Sequence, residues 1–253
     1  MKAKWAACLL AAAVALSGCA AGGTASEAET DAWARVQEAG VLKIGLDPGS
    51  YPLSYEEDGE FAGLFADTAR EACRALGLEA EFVPLDWDRA GEALESGEID
   101  CIFGDCSEAG AELAAAGERL YSEPFAEGEQ VVLTRAADGL RNLADLSGKA
   151  VGVREQSCGE QALADSTAFR SSLAGVTAYG SYAEAVAALD AGEIAAVVLA
   201  RATAGEAIAQ NDGAYALLTG EGGEPEVLAE DRYCVSVSPT SESLLFNLRI
   251  AAG

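Results

Sequence analysis

The side chains that most often catalyse reactions or bind metals are sparse in this chain of 253 residues. Histidine is absent, which excludes a Ser-His-Asp triad, a Cys-His pair and histidine-based zinc sites. The cysteines lack metal-ligand spacing, and the sequence contains neither a GxxxxGK[ST] phosphate loop nor a DxDxDG calcium loop. The sequence therefore predicts no catalytic site, no metal and no cofactor.

The cysteines leave the disulfide state open. Cys8 and Cys19 lie near the N-terminus, and the others are Cys73, Cys101, Cys106, Cys158 and Cys234. Because this second group is odd in number, at least one thiol is unpaired or pairs between chains. Cys101 and Cys106 flank a predicted strand end and are candidates for a bridge. Buried free thiols are favoured over bridges for the group as a whole.

The N-terminus has the pattern of an exported lipoprotein. Two lysines precede an apolar stretch at residues 6–16, which is too short to span a bilayer and is typical of a signal peptide. The motif LSGC that follows resembles a bacterial lipobox, so residues 1–18 are predicted to be removed and Cys19 to carry lipid. An ordinary signal peptide with an incidental cysteine is the alternative. Residues 19–31 are predicted to be a flexible spacer between anchor and fold.

The charge of the chain restricts its partners. The formal net charge is −26 at pH 7, with 42 acidic and 16 basic side chains. A basic groove for nucleic acid is excluded at that charge. The long-range field would repel anions, although salt screens it beyond about 8 Å. The sequence predicts a solvated acidic surface and no nucleic-acid partner.

The elements that would position a site occur in two similar units, residues 81–105 and 176–200. The pattern of each unit predicts a strand, an amphipathic helix, a glycine that ends the helix and a buried apolar strand. Gly97 and Gly192 fall at matching points, where a left-handed turn ends the helix. A duplicated architecture is one interpretation. Two unrelated crossovers in one α/β domain are the other.

A series of short segments carries a resemblance to a known family. In chain order the segments read VLKIGLD, SYPLSY, DGEFAGLFAD, EFVPLDWD, ALESGEIDCIFGD, YSEPF, VVLT, LADLSGKAVGV and ALDAGEIAAVVLA. Together they resemble the bacterial extracellular solute-binding proteins of the amino-acid type, which serve ABC transporters. The resemblance covers residues 40–237, nearly all of the predicted mature chain.

The resemblance implies a two-lobed α/β fold of the type II periplasmic-binding-protein class, each lobe a mixed sheet flanked by helices. Lobe 1 is expected to comprise residues 32–128 with 229–253, and lobe 2 residues 129–228. Two extended crossings would join the lobes. A small polar solute would bind between them and close them like a hinge.

In lobe 1 the resemblance implies an aromatic contact to the solute. Trp87 falls where the family places a stacking ring, which offers a large apolar face at low entropy cost. Core packing is the alternative for this side chain. A second aromatic position of the family aligns with Ser50, with Tyr51 beside it, and both are candidate ligand-binding residues.

The carboxylate clamp of the family is incomplete here. The family follows its SGEID strand with a glycine, a hydroxyl residue and an arginine that recognises an α-carboxylate. Gly104 matches the glycine, the hydroxyl position falls on Cys106 with Ser107 next, and the arginine position falls on Ala111. Arg119 would substitute only if its segment folds back towards the cavity.

In lobe 2 the resemblance implies an anion site at a helix N-terminus. Ser157 matches a ligand-binding hydroxyl, Cys158 lies at the start of the helix, and Arg154 matches a position that is basic in some relatives. A helix cap and a surface charge are equal alternatives for Ser157 and Arg154. The family's ammonium-binding aspartate falls on Ala200.

Both charged ends of an ordinary amino acid thus lack their usual partners, and an unpaired buried charge costs several kcal/mol. The expected function is therefore a lipid-anchored, extracytoplasmic, monomeric receptor of an ABC importer. Its solute would be amino-acid-like or related, held in an atypical way, with a cationic or neutral polar solute favoured. Its partners would be the solute, a membrane permease and the membrane. A binding-degenerate sensor or surface module is the alternative, and a dehydratase-like enzyme on the same fold a minor one.

Overall fold

The computed structural model describes residues 31–106, 118–220 and 222–251. The predicted signal peptide, nearly all of the predicted spacer, the predicted lipidation site Cys19 and the candidate residue Ser107 lie outside the described residues. Residues Asp31–Gly253 form one compact unit.

The helices confirm the periodicity of the sequence. They are α1 Ala32–Ala39, α2 Leu64–Leu76, α3 Ala90–Ser96, α4 Cys158–Asp165, α5 Thr167–Ser172, α6 Tyr182–Ala191, α7 Arg201–Gln210 and α8 Glu242–Ala251. Asp31 caps α1 through its side chain, as its type predicts. Gly97 and Gly192 end α3 and α6 at φ 74° and 75°, which confirms that glycine supplies the left-handed turn at both points.

The strands form one mixed sheet and one small antiparallel sheet. They are β1 Val41–Leu46, β2 Gly49–Ser50, β3 Ser54–Glu57, β4 Glu60–Ala62, β5 Glu79–Pro84, β6 Cys101–Cys106, β7 Leu120–Tyr121, β8 Ala126–Arg135, β9 Ala150–Arg154, β10 Gly175–Tyr179, β11 Ala196–Ala200, β12 Tyr215–Leu217 and β13 Val227–Val237. The large sheet has the order β10-β9-β11-β8-β13-β6-β1-β5, with β12 beside β8 and β7 beside β13. The small sheet is β2-β3-β4.

Two parallel three-stranded units of the same topology lie at the ends of the large sheet. In the first sheet half, β1 lies between β5 and β6 and is parallel to both. In the second sheet half, β9 lies between β10 and β11 and is parallel to both. The helix of each repeated unit, α3 or α6, connects the two outer strands of its half. The predicted strand, helix, strand crossovers are therefore confirmed.

The long strands β8 and β13 join the two halves. They pair antiparallel from Tyr233 opposite Ala126 to Val227 opposite Val131, with an irregularity between Val227 and Ala229. β8 also pairs with β11 of the second half, and β13 with β6 of the first. Residues 125–133 and 225–233, where the two crossings are predicted, lie largely in these strands.

Apolar clusters pack on both faces of each sheet half because side chains alternate along a strand. In β6, Cys101 and Phe103 pack with α1, α2 and α8, whereas Ile102 packs with α3. In β11, Val197 and Leu199 pack with α6 and α7, whereas Val198 packs with α4. Apart from Cys158 of α4, which packs against the cluster of the first half, each cluster supports one half, and the strand ends face the region between the halves.

Candidate ligand-binding site

A cavity of about 560 Å³ lies between the two sheet halves. Its wall includes residues that follow the carboxyl ends of parallel strands, namely Asp47 after β1, Trp87 after β5, and Ser157 after β9. In open α/β sheets ligands bind at this edge. The other lining residues are Ser50, Leu53, Phe65, Phe103, Gly104, Arg119, Gln130, Arg154, Gln156, Cys158, Glu160, Gln161, Ala164, Arg170, Tyr182, Ala200, Thr203 and Tyr233.

A buried ion pair crosses the cavity. The guanidinium of Arg154, at the end of β9, donates from Nη2 to Oδ2 of Asp47 at 2.5 Å. The two side chains are 9% and 12% exposed. The Asp47 carboxylate also accepts hydrogen bonds from the amide of Gly49 at 2.8 Å and the hydroxyl of Ser50 at 3.0 Å. The ion pair therefore links the two halves at the centre of the site.

The pKa values of the pair follow from these contacts. Burial alone would raise the pKa of Asp47, but the Arg154 charge and the hydrogen bonds from Gly49, Arg154 and Trp87 outweigh it and lower that pKa. Burial alone would lower the pKa of Arg154, but Asp47 and Tyr182 raise it. Both groups are therefore charged at neutral pH.

Trp87 lies at the boundary between the cavity and the first sheet half. It is half-buried, it packs against the cluster around α3, and it lines the cavity. Its indole Nε1 donates to Oδ2 of Asp47 at 3.2 Å. The ring thus combines the core role and the cavity role that the sequence left as alternatives.

The opposite wall is built around the start of α4. Ser157 caps this helix, since its hydroxyl accepts from the amide of Glu160 at 3.3 Å and donates to the carbonyl of Arg154 at 2.6 Å. The guanidinium of Arg154 lies 5.2 Å from the centroid of the Tyr182 ring, a distance that allows a cation–π contact. Arg154 Nε is buried and has no hydrogen-bond partner among the described residues.

A second buried network lines the cavity on β8 and β13. The amide of Gln130 donates to Asp231 at 2.6 Å, and the hydroxyl of Tyr233 donates to the same carboxylate oxygen at 2.9 Å. Burial, with the charge and hydrogen bond of Asp231, raises the pKa of Tyr233 far above its usual range, so the phenol stays protonated. The Oε1 atom of Gln130 is buried without a partner among the described residues.

Further polar contacts bridge the halves at the rim. The Thr203 hydroxyl donates to the carbonyl of Tyr51 at 2.7 Å, and the Tyr51 hydroxyl donates to Glu206 at 3.3 Å. Gln156 donates to Asp88. Since Tyr51 is 40% exposed and does not line the cavity, its proposed contact with the solute is not supported by its position.

The other predicted site residues divide into two groups. Six of them line the cavity and remain predicted ligand-binding residues: Ser50, Trp87, Gly104, Arg154, Ser157 and Cys158. The side chains of Cys106 and Ser107 lie outside the described part of the chain. Gly104 also has a packing role, because at φ 86° its Cα faces the Phe65 ring.

The cysteines differ from the sequence prediction in part. Cys73, Cys101 and Cys234 are buried thiols that form no disulfide, as favoured, so the proposed bridge between Cys101 and Cys106 is wrong. Cys158 is disulfide-bonded and lines the cavity, and its partner lies outside the side chains that the structure describes. Spacing along the chain could not reveal this bond because it depends on how the elements meet in space.

The charged side chains that line the cavity were only partly predictable from the sequence. Asp47 was overlooked, although it directly follows a buried parallel strand, the position where ligand contacts are expected. Arg119 is 8% exposed and lines the cavity, as a substitute for the family's arginine would have to. Two further acids lie beside Trp87 in the sequence: Asp86 caps the turn at Trp87–Arg89, and Asp88 contacts Gln156. Three arginines line the cavity, two of them buried, which argues against an exclusively cation-binding site.

The described residues include no group of His, Cys, Asp or Glu side chains that could hold a metal ion. Within the same part of the chain, every helix is too short or too polar to cross a membrane.

Solved structures of similar fold define the class. A substrate-binding protein of an ABC uptake transporter from Streptococcus pneumoniae, with bound histidine, matches with a TM-score of 0.75 at 22% identity, over 88% of this chain and 89% of that chain. Tv2483 bound to L-arginine matches with 0.73 at 24% identity, over 86% of this chain and 85% of that chain. The fold is therefore that of the type II periplasmic-binding-protein class.

The sequence narrows the class to one family. The profile of the bacterial extracellular solute-binding proteins, family 3, matches residues 42–217, and the chain belongs to that family. The family is described as one of solute-binding proteins, so the comparisons give no support to the dehydratase-like alternative.

Curated relatives match over a shorter length. The L-cystine-binding protein TcyJ of Escherichia coli (strain K12) is 29% identical over 126 residues, 47% of this chain and 45% of that protein. The probable histidine-binding protein of Campylobacter jejuni is 28% identical over 119 residues, 45% of this chain and 44% of that protein. The chain spans less than half the length of these relatives.

Proposed function

We propose that the protein is the extracytoplasmic receptor of an ABC importer and captures a small amino acid or amino-acid-like solute in the cavity between the sheet halves. The observation that carries this proposal is the cavity wall itself, where an indole, a buried ion pair and a capped helix start converge from different strands. Such convergence of a few polar groups on an apolar cleft is typical of small-molecule sites.

The proposed mechanism is hinge closure. The lobes would be residues 32–128 with 229–253 and residues 129–228, and β8 and β13 would be the crossings that bend. Support comes from the apolar clusters, each of which packs on one sheet half apart from the contact of Cys158 with the first cluster, so each half can move as a body. The contacts of Arg154 and Thr203 across the cavity would break when the lobes open.

The proposed location is the outer face of the cytoplasmic membrane, with Cys19 lipidated after removal of residues 1–18. The partners would be a permease and the membrane, and the receptor would act as a monomer. Support comes from the lipobox-like LSGC motif and from the family, whose members are extracellular solute-binding proteins. Two acyl chains anchor a protein stably where one does not.

The proposed solute bears an anionic group. The names of the relatives include binding proteins for L-cystine and histidine, and similar structures contain arginine or histidine. The family's usual charged positions fall on Ala111 and Ala200 in this chain, so those partners are absent from the sequence. Arg119 and Arg154 supply cationic groups from other positions.

The test is a thermal-shift screen of the folded protein against the standard L-amino acids and L-cystine. A solute at about 100 times its Kd stabilises the protein by about 2.7 kcal/mol, which raises Tm by about 5 to 10 °C. Calorimetry on the best solute then compares Trp87→Ala with Tyr51→Ala. Trp87→Ala should weaken binding at least about tenfold, since loss of an aromatic contact costs about 1.5 kcal/mol or more.

Tyr51→Ala is the matched control, because Tyr51 is an aromatic side chain of the same region that does not line the cavity. Its affinity should stay close to that of the unchanged protein. Trp87→Phe retains an apolar ring against the α3 cluster if Trp87→Ala fails to fold. Equal affinity in all variants would contradict the site.

The second candidate function is a binding-degenerate sensor or surface module. One observation favours it: Asp47 already neutralises Arg154 inside the cavity. A protein of this kind would give no stabilisation with any solute of the screen, while a folded, cooperative melting transition would still be seen.

A further inference from the structure

Arg154 is only partly satisfied by Asp47. One contact joins Arg154 Nη2 to Asp47 Oδ2 at 2.5 Å, whereas Arg154 Nε is buried and has no hydrogen-bond partner among the described residues. A guanidinium presents its donors as a planar fork that a carboxylate can accept with both oxygens. A free carboxylate in the cavity could therefore satisfy both Nε and a terminal nitrogen, which Asp47 does not.

Asp47, in turn, has other partners that would remain if Arg154 moved away. Its carboxylate accepts from the Gly49 amide, the Ser50 hydroxyl and the Trp87 indole. These donors all belong to the first sheet half or to the segment that follows β1. The carboxylate is thus held in place independently of the second half, and exchange of its arginine partner leaves it hydrogen-bonded.

We propose that Asp47 is an internal competitor for the solute: it pairs with Arg154 across the cavity, and a carboxylate of the solute binds by taking its place on the guanidinium. This inference rests on the solute-binding role proposed above. It assigns Arg154 as the anion-binding residue of the cavity and Asp47 as the residue that sets how strongly an anion must bind.

A bare carboxylate tests the exchange without knowledge of the solute. Sodium acetate is titrated into the folded protein, with neutral acetamide as the isosteric control. The ¹H–¹⁵N resonance of the Trp87 indole reports on the site, because that group donates to Asp47 at 3.2 Å. Acetate should shift this resonance saturably at concentrations up to about 100 mM, as expected for millimolar affinity, and acetamide should not.

Substitutions at the two residues then decide the mechanism. Asp47→Asn should raise acetate affinity about tenfold, since it removes the competing charge from a buried cation. Arg154→Gln should abolish the response, and Tyr51→Phe, which removes only the exposed contact with Glu206, should leave it unchanged. Failure of acetate to shift the resonance, an unchanged response in Arg154→Gln, or no gain in Asp47→Asn would each overturn the proposal.

If Asp47→Asn does not fold, Arg154→Lys gives the answer. Lysine keeps the positive charge but lacks the planar pair of donors of the guanidinium, so acetate should bind about tenfold more weakly than to the unchanged protein. Equal affinity would overturn the proposal. The outcome can be distinguished from failure of the proposed function. If no solute stabilises the protein in the thermal-shift screen but acetate shifts the Trp87 resonance, only the import role is rejected. If a solute binds but acetate has no effect, only the exchange of Asp47 for a carboxylate is rejected.

Discussion

At the scale of single residues, the arginine position that the resemblance implies falls at residue 111. The sequence has alanine there, and the expectation was a loss of attraction for anions. Arg154 and Arg119 line the cavity instead, and one of them is neutralised by an aspartate of the opposite sheet half. The charge of a cavity therefore depends on which strand ends meet, not on one motif.

The free thiols give a prediction at this scale. Burial raises the pKa of Cys73 to about 11, and burial together with Asp100 raises that of Cys101. Because the thiolate is the reactive form, alkylation by iodoacetamide in the folded protein should be very slow at pH 8 and should accelerate as pH rises towards 11.

Mass spectrometry of alkylated peptides provides the measurement. Cys73, Cys101 and Cys234 should be labelled rapidly only after denaturation, and Cys158 only after denaturation with a reductant. Unfolding restores ordinary thiol pKa values, so the denatured sample is the internal control. Rapid labelling of Cys101 in the folded protein at pH 8 would contradict the buried thiols.

Residue roles were only partly predictable. The resemblance placed Trp87 and Ser157 at the ligand site, and both line the cavity. Asp47 and Arg154 are 107 positions apart, and their pairing depends on the sheet order, which a single sequence does not show. The disulfide of Cys158 was hidden for the same reason.

At the scale of secondary-structure elements, glycines set the geometry in two different ways. Gly97 ends α3 at φ 74°, and a methyl group there would meet no atom within 4 Å. Gly104 in β6 has φ 86°, but a methyl group there would lie 2.3 Å from the Phe65 ring. Gly97 is required only for its positive φ. Gly104 is required both for its positive φ and because a side chain there would overlap the Phe65 ring.

We expect Gly104→Ala to destabilise the protein more than Gly97→Ala. Gly97→Ala should reduce the free energy of unfolding by about 1 to 2 kcal/mol, the cost of a left-handed alanine. Gly104→Ala adds steric overlap with a core ring, so its loss should be at least about 1 kcal/mol larger. Urea unfolding of both variants measures the difference, and equal losses would contradict the packing role of Gly104.

Elements were more predictable than contacts because their signals are local. The apolar periodicity predicted both crossover helices, and the matching glycines predicted their ends. The position of β1 between β5 and β6, and of β9 between β10 and β11, is a property of long-range pairing. The short sequence repeat indicated two similar units but not the strand that completes each one.

At the scale of the whole molecule, a chain of net charge −26 contains a cavity with two buried arginines in its wall. The acidic surface slows the approach of anions only over short distances, because salt screens it beyond about 8 Å. Local cations in a water-poor cavity act more strongly than the distant surface. Binding of the anionic group of a solute in the cavity is therefore compatible with the acidic surface of the protein.

The most direct measurement is a crystal structure of the protein with the amino acid or L-cystine that stabilises it most in the thermal screen. Density for the solute is expected between the Trp87 ring and the Arg154 guanidinium, with the two sheet halves closed around it. A solute bound at any other surface, or one that leaves both of these side chains without contact, would contradict it.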